Sequence, residues 1–247
     1  MSFESRAILA PLIRKLESIA SLSADEKRAI EQLPVHGRAL GAHQDILREK
    51  DRPAQCCLIV DGWACRYKIL EEGRRQILSF HIPGDMPDLQ SLHLRVMDHS
   101  IATLTPATVA IVPHEALRDF ALRFPGIGAA LWRDTLVDAA IFREWMTSNG
   151  RRTAFGRVAH LFCEMYLKLE AVGLADEHRC ELPVTQAEIA DALGLTSVHV
   201  NRTLQAMRGQ GLITWRGGTL VIEDWRALSA AGEFDPDYLH LEGGAAA

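Results

Sequence analysis

Residues 185–213, TQAEIADALGLTSVHVNRTLQAMRGQGLI, contain two short helical patterns on either side of a glycine. Thr185 is followed three residues later by Glu188 and then by an apolar-periodic run, which predicts a capping box at the start of a helix. Gly194 predicts the end of that helix, and Thr196 or Ser197 then predicts the cap of a second one. Two short helices around a tight turn are typical of a helix-turn-helix.

The second helix has an apolar face and a polar face. Its inward positions recur at helical spacing and are Val200, Leu204 and Met207. Its outward or flanking positions are Ser197, Val198, His199, Asn201, Arg202 and Gln205. In a DNA major groove Arg202 suits guanine, Asn201 suits adenine and Val198 suits a thymine methyl. The alternative is a helical hairpin with a solvated polar face.

The next residues, 212–222, read LITWRGGTLVI, which predicts two strands joined by the Gly217–Gly218 turn. A hairpin directly after a helix-turn-helix indicates a winged helix, with Arg216 at the tip of the wing. The whole chain carries a net charge of −5. Six acids against one arginine in residues 223–247 account for that charge, whereas residues 184–222 carry three arginines against two acids. Whole-chain charge is therefore a poor guide to what this segment binds.

Upstream, residues 38–113 have the texture of short strands broken by turns, as in CCLIVDGWACRYKILEEGRRQILSFHIPGD. The turns that join or end strands are predicted at Asp61–Gly62, at residues 71–73 and at residues 83–85. Several short strands at regular spacing indicate an antiparallel roll or barrel. Before them, residues 4–33 have helical periodicity with a predicted cap at Ser23.

Residues 125–150 predict a helix of about five or six turns that is apolar on most of its surface. Such a helix must be covered on several sides. We expect one cover to be the same helix of a second subunit; the alternative is burial inside one large monomer. Asp134 and Asp138 are expected to face water. The stretch SNGRRT, residues 148–153 around Asn149–Gly150, breaks the pattern and predicts a hinge, followed by a helix over 154–172.

The remaining composition favours a cytoplasmic protein without membrane association, because no window is apolar enough to span a bilayer. Five irregularly spaced cysteines fit a reducing compartment. We expect them to pack as buried residues; the alternative is a redox sensor at Cys56, Cys57 and Cys65. A metal site on the roll is a further alternative, and its ligands would be His81, Asp85, Asp88, His93 and His99. We expect no metal, no cofactor and no catalytic cluster, and hence no enzymatic activity.

Over residues 20–228 the layout resembles the Crp/Fnr superfamily of bacterial transcription regulators. The most specific part is LPVTQAEIADALGLTSVHVNRTLQAMRGQGLI; the roll segment is similar to the family's sensory β-roll, and FGRVAHLF to the start of its DNA-binding domain. The resemblance implies an α+β fold with an N-terminal antiparallel, cyclic-nucleotide-binding-like β-roll, a long dimerisation helix and a C-terminal winged helix-turn-helix. It implies a homodimer on two-fold symmetric double-stranded DNA, with RNA polymerase and an unknown small-molecule effector as further partners.

On this resemblance, residues 1–120 form the sensor domain with an N-terminal helix, 121–149 the dimerisation helix and hinge, 150–228 the DNA-binding domain and 229–247 an acidic tail. The two recognition helices would enter successive major grooves about 34 Å apart. The implied DNA-binding residues are Thr185, Gln186, Ser197, Val198, His199, Asn201 and Arg202. Thr185 and Gln186 would face the sugar–phosphate backbone of the DNA. Hinge arginines available to supplement Arg202 are Arg151, Arg152 and Arg157.

The chain also departs from the family pattern. Val198 stands where many members carry a glutamate, so the half-site is expected to differ. Pro87–Asp88 stands near the expected Gly-Glu pair that holds a ribose, and residues 98–100, Asp-His-Ser, stand near the expected Arg-Ser pair that holds a cyclic phosphate. The nearby Arg95 is out of register, and no cysteine precedes Cys56, so neither a cyclic nucleotide nor an iron–sulfur cluster is expected. An alternative function is an effector-binding module, for a cyclic nucleotide or another ligand, whose helix-turn-helix binds protein, or DNA without sequence preference.

Overall fold

The computed structural model describes residues 3–242 of the chain. Contacts divide these residues into two compact units: residues 3–69 with 78–138, and residues 70–77 with 139–242. The final Gly-Gly-Ala-Ala-Ala of the predicted acidic tail lies outside the described residues. No helix in residues 3–242 is both long and apolar enough to cross a membrane.

The N-terminal part begins with two helices, α1 (Phe3–Glu17) and α2 (Ala24–Ile30). Seven strands follow: β1 (His36–Leu40), β2 (Asp45–Leu47), β3 (Gln55–Asp61), β4 (Ala64–Ile69), β5 (Arg75–His81), β6 (Ser100–Thr103) and β7 (Ala107–Pro113). A 3-10 helix, Leu89–Leu92, lies between β5 and β6. Ser23 caps α2 in a full capping box with Glu26, as the sequence predicts.

The strands form two sheets, with orders β1-β7-β3 and β2-β6-β4-β5. The predicted antiparallel roll is confirmed, and residues 71–73 join neighbouring strands as expected. The Asp61–Gly62 turn joins β3 of the first sheet to β4 of the second. Gly62 has φ +83°, and a Cβ on it would lie 2.4 Å from the carbonyl oxygen of Pro106, so this turn excludes larger residues. Apolar residues of α1, including Leu9, Leu12 and Leu16, pack in one buried cluster with Leu58 of β3.

Two helices follow the roll, α3 (His114–Arg123) and α4 (Pro125–Arg151). With 27 residues α4 spans about seven and a half turns, so the predicted five or six turns were too few. Residues Asn149 and Gly150 are helical, and the break lies at Arg152–Thr153. The helix break lies inside the predicted stretch 148–153 but after Gly150, because α5 is capped by Thr153, whose hydroxyl accepts from the Gly156 N–H.

Asp134 and Asp138 on α4 do not simply face water, so that expectation was wrong. The Lys15 ammonium lies 3.5 Å from Asp134 and 3.4 Å from Asp85. Arg66 of β4 forms an ion pair with Asp138. Pairing lowers the cost of burying these charges within the first unit.

The C-terminal part contains α5 (Ala154–Ala171), β8 (Ala175–Asp176), β9 (Arg179–Glu181), α6 (Gln186–Leu193), α7 (Ser197–Gly209), β10 (Ile213–Arg216), β11 (Thr219–Ile222), α8 (Trp225–Ala231) and a 3-10 helix, Pro236–Leu239. The four strands form one antiparallel sheet in the order β10-β11-β9-β8. The sheet and α7 both pack on α5, which is buried along most of its length.

The tail after α8 packs on α5 through polar contacts. The Tyr238 hydroxyl donates to the buried carboxylate of Glu164 at 2.7 Å and lies 3.0 Å from Nε2 of His160. The Trp145 indole N–H also donates to Glu164, at 3.0 Å. This tail segment therefore joins α5 to the end of α4 within the second unit.

Candidate nucleic-acid interface

The two helices of the candidate interface, α6 and α7, begin and end as the sequence predicts. The Thr185 N–H donates to Glu188 at 2.6 Å, and the Glu188 N–H donates to the Thr185 hydroxyl at 3.2 Å, which completes the capping box. Gly194 ends α6 with φ +64°, in the left-handed region that favours glycine. Thr196 caps α7, since its hydroxyl accepts from the His199 N–H at 3.2 Å.

Helix α7 has one face in the core and one in solvent. The predicted inward residues Val200, Leu204 and Met207 have no exposed surface, which confirms their placement. Its exposed residues near the N-terminus are Ser197, Val198, His199 and Arg202. Val198 is 70% exposed, so its methyl groups are accessible for apolar contact with a ligand.

A chain of three amide side chains joins α6 to α7. The Asn201 amide donates to Gln186 at 3.1 Å, and the Gln205 amide donates to Asn201 at 3.1 Å. The resemblance places Asn201 at a DNA base and Gln186 at the DNA backbone. Their hydrogen bond fixes the orientation of both side chains before DNA binds. The sequence predicts that Gln205 faces outward, but Gln205 is not among the DNA-binding residues that the resemblance implies. Its role in orienting Asn201 depends on a hydrogen bond that only the structure shows.

The exposed surface around α7 has little negative charge to oppose a phosphate. Helix α7 itself contains two arginines and no acid. In α6, Glu188 is buried and committed to the cap. Asp191 forms an ion pair with Arg75 of the same compact unit at 2.8 Å. The carboxylates of this helix pair are therefore neutralised or turned inward.

The predicted wing is confirmed as the hairpin β10–β11, with Arg216 opposite Thr219 in the register. Gly217 and Gly218 have φ +60° and +83°, the positive values that a two-residue hairpin turn requires. Arg216 is exposed beside this turn. Arg208 of α7 donates to the carbonyl oxygen of Trp215 at 3.1 Å, which ties the helix to the wing.

Two of the three hinge arginines are committed inside the protein. Arg152 lies 2.7 Å from the Glu144 carboxylate. Arg157 donates to the carbonyl oxygens of Arg152 and Leu193 at 3.0 and 2.9 Å. The expectation that they are available to DNA was wrong, because they satisfy acceptors around the break between α4 and α5. Arg151 is exposed.

Inside the roll, the position near the expected Gly-Glu pair holds a fully buried carboxyl group. Asp88 Oδ1 accepts from the Cys57 N–H at 2.9 Å, and burial raises the pKa of Asp88 to about 7. Its Oδ2 has no hydrogen-bond partner among the described residues. The nearby guanidinium of Arg66 donates to the Pro87 carbonyl oxygen at 2.7 Å and pairs with Asp138. These groups do not fit a cyclic phosphate, which needs an uncommitted cation.

The position near the expected Arg-Ser pair holds an imidazole. Burial lowers the pKa of His99, and its Nδ1 lies 2.7 Å from Asp98. His81 bonds to Ser79 and Asp85 at 2.8 and 3.3 Å. Among residues 3–242, no three or more His, Cys, Asp or Glu side chains are grouped so as to hold a metal ion.

The five cysteines are all free and buried. Cys57 and Cys65 lie on consecutive strands, β3 and β4, that belong to different sheets. Burial raises the pKa of the Cys57 thiol. A neutral, enclosed thiol is a poor nucleophile, so the structure favours a packing role over a redox sensor.

A β-roll followed by a long helix and a winged helix-turn-helix defines a DNA-binding protein with a separate sensory fold. Comparisons with known proteins agree. Residues 38–124 match the cyclic nucleotide-binding domain and residues 156–231 match the Crp-like helix-turn-helix domain.

Two similar proteins are named as regulators. The chain is 30% identical over 226 residues to the nitrogen fixation regulation protein FixK of Bradyrhizobium diazoefficiens, covering 89% of this chain and 92% of that one. It is 27% identical over 229 residues to the transcriptional activator protein FnrL of Cereibacter sphaeroides, covering 90% of each. The structure of FixK2 from Bradyrhizobium japonicum has a TM-score of 0.73 at 27% identity, covering 81% of this chain and 98% of that one. The chain belongs to the Crp/Fnr superfamily and is a DNA-binding transcription regulator with an N-terminal sensing domain.

Proposed function

We propose that the protein acts as a homodimer that reads a two-fold symmetric DNA site, with one α7 in each of two successive major grooves. The observation that carries this proposal is the division of α7. One face has no exposed surface and holds the helix in place, while the other presents Val198 and Arg202 to solvent without a carboxylate on the helix. A rigid helix with an exposed polar face of this kind fits the major groove.

Each implied contact residue has a role in the proposal. Arg202 reads a guanine and Val198 a thymine methyl, while Asn201 is positioned by Gln186. Ser197 and His199 lie in the first turn of α7, at the positive end of the helix dipole, which attracts phosphate; the His199 N–H itself is taken by the Thr196 cap. Thr185 and Gln186, at the start of α6, contact the sugar–phosphate backbone of the DNA.

Dimer formation is supported by apolar side chains that α4 leaves in solvent. Trp132 and Leu136, one turn apart, are 61% and 50% exposed. Exposed apolar side chains in a row mark a contact surface, and an isologous contact would bring two copies of α4 together.

The sensing domain would act by a shift in population between dimer conformations that differ in their fit to DNA. Relatives named as activators support RNA polymerase as a further partner. Because its target is chromosomal DNA, we place its action in the bacterial cytoplasm.

The test compares Arg202→Ala with Arg226→Ala, which removes the same charge from an exposed site on α8. The cognate site is first selected from random oligonucleotides. We expect Arg202→Ala to weaken cognate binding by about 1–3 kcal/mol and to relax one base position, and Arg226→Ala to leave both unchanged. An equal loss on cognate and random DNA would contradict sequence-specific reading and favour binding without sequence preference.

A further inference from the structure

A cleft of about 440 Å³ opens on the surface of the first unit, away from the residues inside the roll. Three segments that are distant in the sequence form it. They are the loop between β2 and β3 with Arg52, the turn after the first 3-10 helix with His93 and Arg95, and the first turns of α3 with His114 and Arg118. We call it the arginine cleft. Its volume falls in the range typical of small-ligand sites.

The rim of the arginine cleft carries three positive charges and no negative one. Arg52, Arg95 and Arg118 are exposed, and no Asp or Glu lines the cleft. Within the described part of the chain, none of the three arginines forms an ion pair, in contrast to Arg48, whose guanidinium lies 2.8 Å from Asp45. Gathered guanidinium groups repel one another, and an anion between them relieves the repulsion.

One of these cations is held in place. Arg118 Nη2 donates to the carbonyl oxygen of Leu92 at 2.8 Å, which fixes the guanidinium at the side of the cleft. The other N–H groups of its planar fork remain for a ligand, and guanidinium binds the oxygens of phosphate in a bidentate manner.

The floor of the cleft is polar and neutral. Nε2 of the buried His114 lies 2.9 Å from the Ser91 hydroxyl. Burial lowers the pKa of His114, and the positive charge of Arg118 lowers it further. The positive field of the rim therefore reaches the floor, where the imidazole of His114 and the hydroxyl of Ser91 bond to each other.

We propose that the arginine cleft binds the phosphate group of a small phosphorylated metabolite. Guanidinium groups from three segments of the chain around a polar, neutral floor suit a tetrahedral dianion and disfavour cations and apolar ligands. The cleft contains neither Pro87–Asp88 nor the residues 98–100, so the ligand occupies a position outside the roll. The proposal concerns the sensing domain alone and is tested without DNA.

The test uses the full chain and inorganic phosphate as the probe, with sodium chloride at matched ionic strength as the reference. Calorimetry should show saturable binding of phosphate. Arg95→Gln, which breaks no hydrogen bond described for the folded chain, should weaken binding about tenfold or more. The control Arg123→Gln removes an exposed charge from the same helix α3 outside the cleft and should bind like the wild type.

A second measurement separates the cleft from surface charge in general. Histidine NMR, with the His114 signal assigned from His114→Gln, should show that phosphate raises the pKa of His114, because the anion screens Arg118. No saturable binding at millimolar phosphate, equal weakening by Arg95→Gln and Arg123→Gln, or an unchanged His114 titration would each overturn the proposal.

Discussion

In the proposed interface with DNA, the side chain of Val198 sets what α7 can read at one position. It is the most exposed aliphatic residue at the start of α7, and valine offers a base only apolar contact, for which a thymine methyl is suited. The family often carries a glutamate here, and the structure leaves room for one because the side chain points into solvent.

We expect Val198→Glu to change the preferred base pair at one position in each half-site. Its carboxylate accepts from the cytosine N4 amino group, with about 1–3 kcal/mol of discrimination. Sequencing of oligonucleotides selected by the two proteins measures the change. Val198→Ala is the control and should lose the thymine preference without gaining another; the same preference in Val198→Glu and Val198→Ala would contradict a base contact.

Burial of the Asp88 carboxyl group makes the stability of the fold depend on pH. Burial raises the pKa of Asp88 to about 7, against about 3.9 for a solvated Asp. Between these values the folded protein holds a proton that the unfolded chain has released, so stability falls as pH rises from about 4 to about 7. His81, whose pKa burial lowers to about 4, acts in the opposite sense.

We therefore expect the free energy of unfolding of Asp88→Asn to fall less than that of the wild type, or not at all, over this pH range. Asparagine keeps an oxygen to accept from the Cys57 N–H and removes the titration. Urea unfolding at a series of pH values measures both slopes, and the His81 contribution cancels because both proteins contain it. Parallel slopes would show that Asp88 does not titrate in this range.

At the scale of elements, the C-terminal tail has a structural role that its acidic composition does not indicate. Phe234 and Tyr238 of this tail pack against His160 of α5, and Leu239 is buried. The ring of Phe234 packs edge-on against His160 at 5.0 Å between centroids. The tail therefore stabilises the helix on which α7 and the wing pack.

Tyr238→Phe tests this role, since it removes the hydroxyl that donates to the buried carboxylate of Glu164. We expect a loss of about 1–3 kcal/mol in stability because a buried acceptor loses a donor. Tyr67→Phe is the control; its hydroxyl donates to Asp45, which is partly exposed, so water can replace it at smaller cost. Thermal or urea unfolding of both variants gives the comparison, and equal losses would count against a special role for Tyr238.

At the scale of the whole molecule, the proposed dimer would bring two copies of α4 together. The side chains of Trp132 and Leu136 on α4 are exposed to water. Burying this apolar surface in a contact between two subunits would lower the free energy. We expect Trp132→Glu with Leu136→Glu to give a monomer at micromolar concentration in sedimentation and to bind the two-fold site weakly. Ile69→Glu changes a similarly exposed apolar residue on β4 and should remain dimeric. A wild type that sediments as a monomer would contradict the proposed dimer.

Many local features were predictable because near neighbours in the chain determine them. The capping box at Thr185, the left-handed Gly194, the buried stripe of α7 and the Gly217–Gly218 turn each depend on residues a few positions apart. The same holds for the strands of the roll and for the cap at Ser23.

The sequence by itself therefore determined the helix-turn-helix, the wing, the roll and the family, since caps, turns and periodicity are short-range. The tertiary structure decided which sheet each strand joins, how far α4 extends, and that Asp138 pairs with Arg66. It also decided that Asp88 is buried and that three distant segments place Arg52, Arg95 and Arg118 around one cleft. These features depend on contacts between residues far apart in the chain, whose charges and burial are set only when the whole fold brings them together.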